Sequence, residues 1–359
     1  MAWQTVFMDG FDHYATADVG AKWDNRDAGP TIDATIFRNS GQSMRHSGGA
    51  GYQTAKQLNI AAQNIVYGFG LYLQTAPSGT DLTSAGAVML LANEGTFGGT
   101  PQFGIGVGAD GHIRVGRITS TTTTAVTAVT LASGVATINA ATWYYIEVRV
   151  FIHATAGAVE VRVNGVVDIL LTGVNTKGSS TMTGANWFHL RGAASSAWYC
   201  DDLYIRTEAS TSEVTGGFLG DIKIKPYYPN ADGTYSAMTC STGTTHNTLV
   251  KEALPNLTDY VYSSTALTKD SFNFQDAAET GSIKAVQLNA YCYKVDSGFR
   301  GADPFIKSGS TEVYGTSQPL STTPKYVQKM FEQDPNTSAD WSQANFNAAE
   351  FGVRISVDV

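Results

Sequence analysis

The sequence predicts an all-β protein of two domains, and three observations carry that expectation. Two-residue alternation of apolar and polar side chains recurs along the chain, clearest in the run from Trp143 to Ile169. The dipeptides Asp110-Gly111 and Asn164-Gly165 stand between such runs, as tight hairpin turns require. The composition, with 37 Gly, 11% aromatic and only 15% charged residues, suits turn-rich β structure and argues against disorder. At 359 residues the chain is too long for one ordinary sandwich.

Residues 3 to 12 read as a short strand ending in an acidic glycine turn, followed by an irregular stretch with Trp23 and a glycine-rich surface at 47 to 51. Strands resume over Ile65 to Gln74, Ala87 to Ala92 and Gln102 to Val107. Asp110-Gly111 then turns the chain into His112 to Ile118. The threonine-rich segment 119 to 133 reads either as a solvated loop or as a strand pair with a polar face.

From Trp143 a meander follows. Trp143, Tyr145, Glu147, Arg149 and Phe151 point one way, and Tyr144, Ile146, Val148, Val150 and Ile152 the other. Val159, Val161 and Val163 alternate with Glu160, Arg162 and Asn164, and Asn164-Gly165 leads into Val166 to Leu171. Glu147 and Glu160 read as solvent-facing strand residues. Trp187 to Arg191 and Ala197 to Arg206 close the first domain, with Trp198, Cys200, Asp202 and Tyr204 on one face of the last strand. Roughly ten to twelve strands at this spacing make a sandwich or jelly roll.

The small, polar stretch 207 to 217 is the expected linker between domains 1 to 206 and 218 to 359. In the second domain Ile222 and Ile224 alternate with lysines in a strand stopped by Pro226. Ser271 to Phe274, Ser282 to Val295, Phe305 to Tyr314 and Tyr326 to Phe331 are further strands. Ser338 or Asp340 is expected to cap one short helix that ends at Gly352, before a last strand through Val353, Ile355 and Val357.

A net charge of -8 without a basic run excludes nucleic-acid binding. No apolar run has membrane-spanning length, and the opening MAWQTVFMDGFD lacks a basic segment followed by an apolar one, so synthesis in cytoplasm without membrane insertion is expected. Cys200, Cys240 and Cys292 are too few and too dispersed for a disulfide framework and read as buried free thiols.

The strand W-Y-Y-I-E-V-R-V from Trp143, the hairpin V-E-V-R-V-N-G from Val159 and the closing D-D-L-Y-I from Asp201 resemble the concanavalin A-like lectin/glucanase (laminin-G-like) jelly roll. The opening FMDGFDHY with Lys22-Trp23 is similar to the start of such domains in tailed-bacteriophage virion proteins. Phe218 to Asp221, the segment from Asp270 to Phe274, the strand from Ile283, Asp334-Pro335 and Trp341 resemble the module that follows them there. The resemblance implies a virion structural protein without enzymatic activity. The role expected is a tail-fibre, collar or baseplate-associated appendage, with capsid decoration or head fibre as the alternative and a glycan-degrading enzyme as a second one. It implies self-association, with a trimer as one form, contact with other virion proteins, and adhesion to host-surface glycan.

The chemistry expected is sparse. The glucanase branch uses paired carboxylates on alternate residues of one strand, about 5 Å apart for retention, and no such E-x-D-x-E pattern occurs. Gly104 to Gly108 lies in a strand and is no dinucleotide loop. His153 and His189 read as partly buried strand or turn residues. Asp9, Asp12, Asp201 and Asp202 meet if the first and last strands pair; they then either serve turn chemistry or hold Ca²⁺, the single cofactor expected if there is any. Trp187, Trp198 and Tyr199 either fill the core or stack on a glycan.

Overall fold

The computed structural model describes residues 3–39, 41–47, 53–78, 82, 87–93, 101–121, 126–192 and 196–356. Of the glycine-rich surface expected at 47 to 51, residues 48 to 51 lie outside the described residues, as does Val357 of the expected last strand. The chain divides into two compact units. The first comprises Met1–Asp12 and Trp23–Ile224, the second His13–Lys22 and Lys225–Val359. The segment read as a linker, 207 to 217, therefore belongs with the first unit, and the chain passes to the second unit after Ile224.

Unit 1 is the expected β-sandwich. Its strands are β1 (Gln4–Asp9), β2 (Asn25–Arg26), β3 (Thr31–Asp33), β4 (Ser43–His46), β5 (Gln53–Ala62), β6 (Asn64–Leu73), β7 (Ala87–Ala92), β8 (Pro101–Val107), β9 (His112–Thr121), β10 (Val126–Thr137), β11 (Trp143–Phe151), β12 (Gly157–Val163), β13 (Val166–Val174), β14 (Ala185–Arg191) and β15 (Trp198–Glu208). An eight-stranded sheet runs β13-β12-β11-β6-β15-β4-β3, with β1 also pairing β15, and a seven-stranded sheet runs β10-β9-β8-β7-β14-β5-β2. The threonine-rich stretch resolves in favour of a strand pair, β9 with β10.

Register decides which side chains are inward. Val148, Tyr67 and Ile205 share a row across β11, β6 and β15, and all are buried, as are Phe188 and Leu190 of β14 in the facing sheet. The Tyr67 and Phe188 rings meet across the sandwich at 5.2 Å. Each such side chain contributes about 1.5–3 kcal/mol by leaving water. The turn at Asn164-Gly165 has φ of 50° and 80°, the paired positive values a type I′ hairpin demands.

One expectation fails within β15. Alternation from Trp198 places Cys200, Asp202 and Tyr204 together, but a bulge separates Asp201, opposite Gly70, from Tyr204, opposite Gly68. Asp202 takes φ of 50° at this bulge, and Tyr204 emerges on the outer face while Cys200 stays in the core.

Unit 2 is built on a sheet ordered Pro229–Ser236, Lys269–Phe274, Glu350–Ile355, Gly301–Ser308, Thr311–Tyr314, with Gln318–Pro319 pairing Gly301–Ser308. Its helix, Gln343–Ala348, starts later than expected: the N-cap is Ser342, whose Oγ accepts from the Asn345 N–H, because Ala339–Asp340 is held in a strand pair with Gln333–Asp334. The helix presses Phe346 onto Phe351, beside Trp341, Ile306 and Phe331. Ile222 and Ile224 form no strand. Residues 13–22 join this unit, and Tyr326 Oη donates to the His13 carbonyl at 2.8 Å. All three cysteines are free thiols; Cys200 is buried and the other two half-buried.

Candidate functional site

Because Phe188 and Leu190 face inward, Trp187, His189 and Arg191 share the outer face of β14. The β5 register sets Gln53 opposite Arg191 and Ala55 opposite His189. The Gln53 Oε1 lies 3.0 Å from His189 Nδ1 and accepts from it when that nitrogen carries the proton. Trp187 is half-buried, its ring 6.4 Å from the His189 ring. Arg191 is buried, and desolvation brings its guanidinium down to about 10, which leaves it a cation at neutral pH.

Toward the middle of the sheet this outer face is apolar, and beyond it Arg114 of β9 shares the face and pairs with Asp110. Leu90 faces out beside His189 and joins Leu82, Ile118 and Val126 in a buried cluster. A side chain at Gly116 would meet Leu82 Cδ1 at 2.6 Å, so glycine is what admits Leu82 there. At the β5–β14 end the polar groups are buried: Gln53, His189 and Arg191 are all covered, and only Trp187 is half-exposed. That end offers an indole platform, an imidazole able to accept and return a proton, and a guanidinium shaped for a carboxylate.

The three aromatics expected to bind glycan are not brought together. Only Trp187 lies on this face. Trp198 is fully buried, stacked on His46 at 4.8 Å, and its Nε1 donates to the Arg191 carbonyl at 2.8 Å. Complete burial holds the His46 ring neutral, its pKa lowered to about 3. Tyr199 lies on the outer face of the eight-stranded sheet, edge-on to Tyr72 at 5.6 Å. Gln53, His189 and Arg191 were absent from the expected site; the i, i+2, i+4 spacing of Trp187, His189 and Arg191 is the signal that marks them.

The pairing of β1 with β15 does bring the four aspartates into one region. Asp9 accepts from the Phe11 N–H and from Trp23 Nε1, both at 2.9 Å, and Asp12 from the Gln42 N–H at 2.5 Å. Asp201 accepts from the N–H groups of Arg38 and Asp202, each at 2.8 Å. Asp202 accepts from Arg38 Nη1 at 2.8 Å, Asn39 Nδ2 at 2.8 Å and the Ile224 N–H at 2.7 Å. Arg38 also pairs with Asp221, so a guanidinium supplies positive charge to this group. Among the described residues no set of three or more His, Cys, Asp and Glu is arranged to hold a metal ion. Burial, with Asp202 and Asp9 nearby, raises Asp12 to about 7; burial and Asp202 raise Asp201 to about 8.

Glu147 corrects a further expectation. It is buried rather than solvent-facing: Tyr204 Oη donates to its Oε1 at 2.5 Å and the Gly220 N–H at 2.9 Å. Gly68 makes this possible, since a Cβ there would overlap the Tyr204 ring. Glu160 pairs with Arg149 and Arg162.

No protein-family model matches the chain, and no curated protein matches it. Solved structures do. An endo-β-1,4-glucuronan lyase from the fungus Trichoderma reesei aligns at 13% identity and TM-score 0.42, over 57% of this chain and 96% of that one. An alginate lyase from Chlorella virus aligns at 10% and 0.40, over 57% and 100%. A carbohydrate esterase from the Shiga toxin-encoding bacteriophage phi24B aligns at 13% and 0.38, over 58% and 100%. The expectation of a chain without enzymatic activity does not stand: lyases and an esterase are among the solved structures it aligns with. Among the described residues no helix is long and apolar enough to cross a membrane.

Proposed function

We propose that unit 1 is a glycan-active sandwich whose ligand is an acidic polysaccharide, engaged at the β5–β14 end of the seven-stranded sheet. The observation that carries this reading is the set Gln53, His189, Arg191 and Trp187 on one face. A guanidinium neutralises a uronate carboxylate and so acidifies the C5–H beside it. In this reading the His189 imidazole takes that proton, the C4–O bond breaks, and the proton returns to the departing O4. The product carries a C4=C5 double bond. Within the phage setting that the opening and the second-domain segments resemble, this chemistry suits an appendage or head-fibre protein that meets host-surface polysaccharide in many copies.

The test is to incubate the whole chain with alginate, polyglucuronate and a neutral glucan and to follow near-ultraviolet absorbance from unsaturated ends. Retention of each polymer is measured in parallel. The expected result is action on, or retention of, an acidic polymer alone, reduced at least about 100-fold by His189→Gln or Arg191→Gln, the scale of a lost acid–base or electrostatic group. Indifference to every polymer, or equal retention of the neutral glucan, overturns the reading.

A further inference from the structure

The outer face of the eight-stranded sheet is covered by the chain's own residues 209–224. Main-chain groups of this strap are met one after another by side chains of the sheet. Asn64 Nδ2 donates to the carbonyls of Ser210 and Ser212, at 2.9 and 2.8 Å, and its Oδ1 accepts from the Val214 N–H at 3.0 Å. Trp3 Nε1 donates to the Thr215 carbonyl at 3.2 Å, and Arg206 Nη1 to that of Gly217 at 2.9 Å. Tyr204 Oη accepts from the Leu219 N–H at 3.1 Å, and Glu147 from that of Gly220. Arg38 donates to the Ile222 carbonyl at 2.9 Å. Recognition of alternating carbonyls and N–H groups is what a groove for extended peptide does.

Charge follows the same plan. From 209 to 224 the strap carries Glu213 and Asp221 against one basic residue, Lys223, and Glu208 stands just before it. Beneath it, Arg149 pairs with Glu213 at 2.7 Å, Arg38 with Asp221, and Arg162 lies over the Phe218 ring at 4.1 Å. Arg149 is buried, and its guanidinium is shared between Glu213 and Glu160. The ties are polar and ionic, the class that salt screening and competing ligands loosen most readily.

We infer that the outer face of the eight-stranded sheet is an acidic-peptide groove, closed in cis by residues 209–224, and that the ligand it takes in trans is the same segment of a second copy of this chain. Groove and ligand are encoded together, so every copy carries the complementary partner, the condition under which identical elements exchange between protomers. The cis strap competes at an effective concentration in the millimolar range, so binding in trans emerges when the latch is weakened.

The experiment uses the full chain and a fluorescent peptide spanning residues 207–222, followed by anisotropy. The doubly substituted latch variant Glu213→Gln with Asp221→Asn is expected to bind the peptide at least about tenfold more tightly than the unmodified chain, because its intramolecular competitor is weaker. Adding Arg149→Gln, or separately Arg206→Gln, is expected to remove that gain while the thermal transition of unit 1 is retained. Raising ionic strength from about 0.1 to about 1 M, which shortens the screening length from about 10 to about 3 Å, is expected to weaken binding. Equal binding by latch variant and unmodified chain overturns the inference, as does equal binding of a scrambled peptide. Displacement of the peptide by acidic oligosaccharide at lower concentration overturns it in favour of a glycan groove. His189→Gln is expected to leave peptide binding unchanged, which separates this site from the one proposed above.

Discussion

Arg38 Nη1 lies 2.8 Å from Asp202 Oδ2, and the side chains retain only 13% and 3% of their exposure. The same guanidinium reaches Asp221 and the Ile222 carbonyl and lies 4.6 Å from the Tyr145 ring centre, so one side chain joins β15 to the end of the strap. Removing one partner of a buried pair leaves the other charge uncompensated, at about 3–5 kcal/mol. Arg38→Gln is expected to lose about 3 kcal/mol in urea unfolding, the low end because Arg38 keeps some contact with water. A loss below about 1 kcal/mol, the value of a surface pair, would show that the contact contributes little.

Asp12 and Asp201 give stability a pH dependence of defined sign. Folded, they titrate at about 7 and about 8; both have 3.8 as their ordinary value. Below 3.8 both states hold the protons, and whatever stability this tighter binding gives is fully present. As pH rises toward 8 the folded state still binds protons that the unfolded state has released, so stability falls across this window and the contribution is gone above it. Unfolding midpoints between pH 4 and 9 are expected to decline in the unmodified chain, with a shallower decline in Asp201→Asn. An unchanged slope in that variant would remove Asp201 from the account.

The sandwich was legible because its strands obey simple periodicity, and the exceptions have local physical causes. Alternation cannot foresee that Asp202 adopts a φ of 50° and resets the faces of β15, since the bulge is fixed by pairing with β6 and not by neighbours in sequence. Glu147 reads as solvent-facing on its own strand; only the strap, some seventy positions onward, makes it a buried acceptor. Segment 207–217 is small and polar, as a linker is, yet its main-chain groups are satisfied by Asn64, Trp3 and Arg206. His189 and Arg191 needed the register with β5 before Gln53 could be seen beside them.

The hairpin at Asn164-Gly165 offers a test of backbone conformation. Asn164 has φ of 50° and its Oδ1 accepts from the Tyr145 N–H at 2.8 Å. Asn164→Ala loses that bond and places a Cβ residue in the left-handed region; Asn164→Gly loses only the bond. The alanine variant is expected to be less stable than the glycine variant by about 1–2 kcal/mol. Equal stabilities in denaturant would show that the turn relaxes to another type.

Two tryptophans eleven residues apart in sequence have opposite fates in the structure, and this separates ligand contact from packing. Trp198 is fully buried and its Nε1 holds the Arg191 carbonyl, whereas Trp187 is half-buried on the outer face of β14. Trp198→Ala is expected to cost about 3–5 kcal/mol of stability, as large-to-small changes in a packed core do. Trp187→Ala is expected to leave the unfolding midpoint nearly unchanged while weakening retention of acidic polysaccharide by about tenfold, the effect of about 1.4 kcal/mol of lost stacking. Trp187→Phe, which keeps an aromatic face, should recover most of that retention. Affinity electrophoresis with alginate beside thermal unfolding of all three variants resolves the matter: a Trp187→Ala protein that unfolds early and retains polymer normally would make Trp187 a packing residue, and the β5–β14 face would lose its platform.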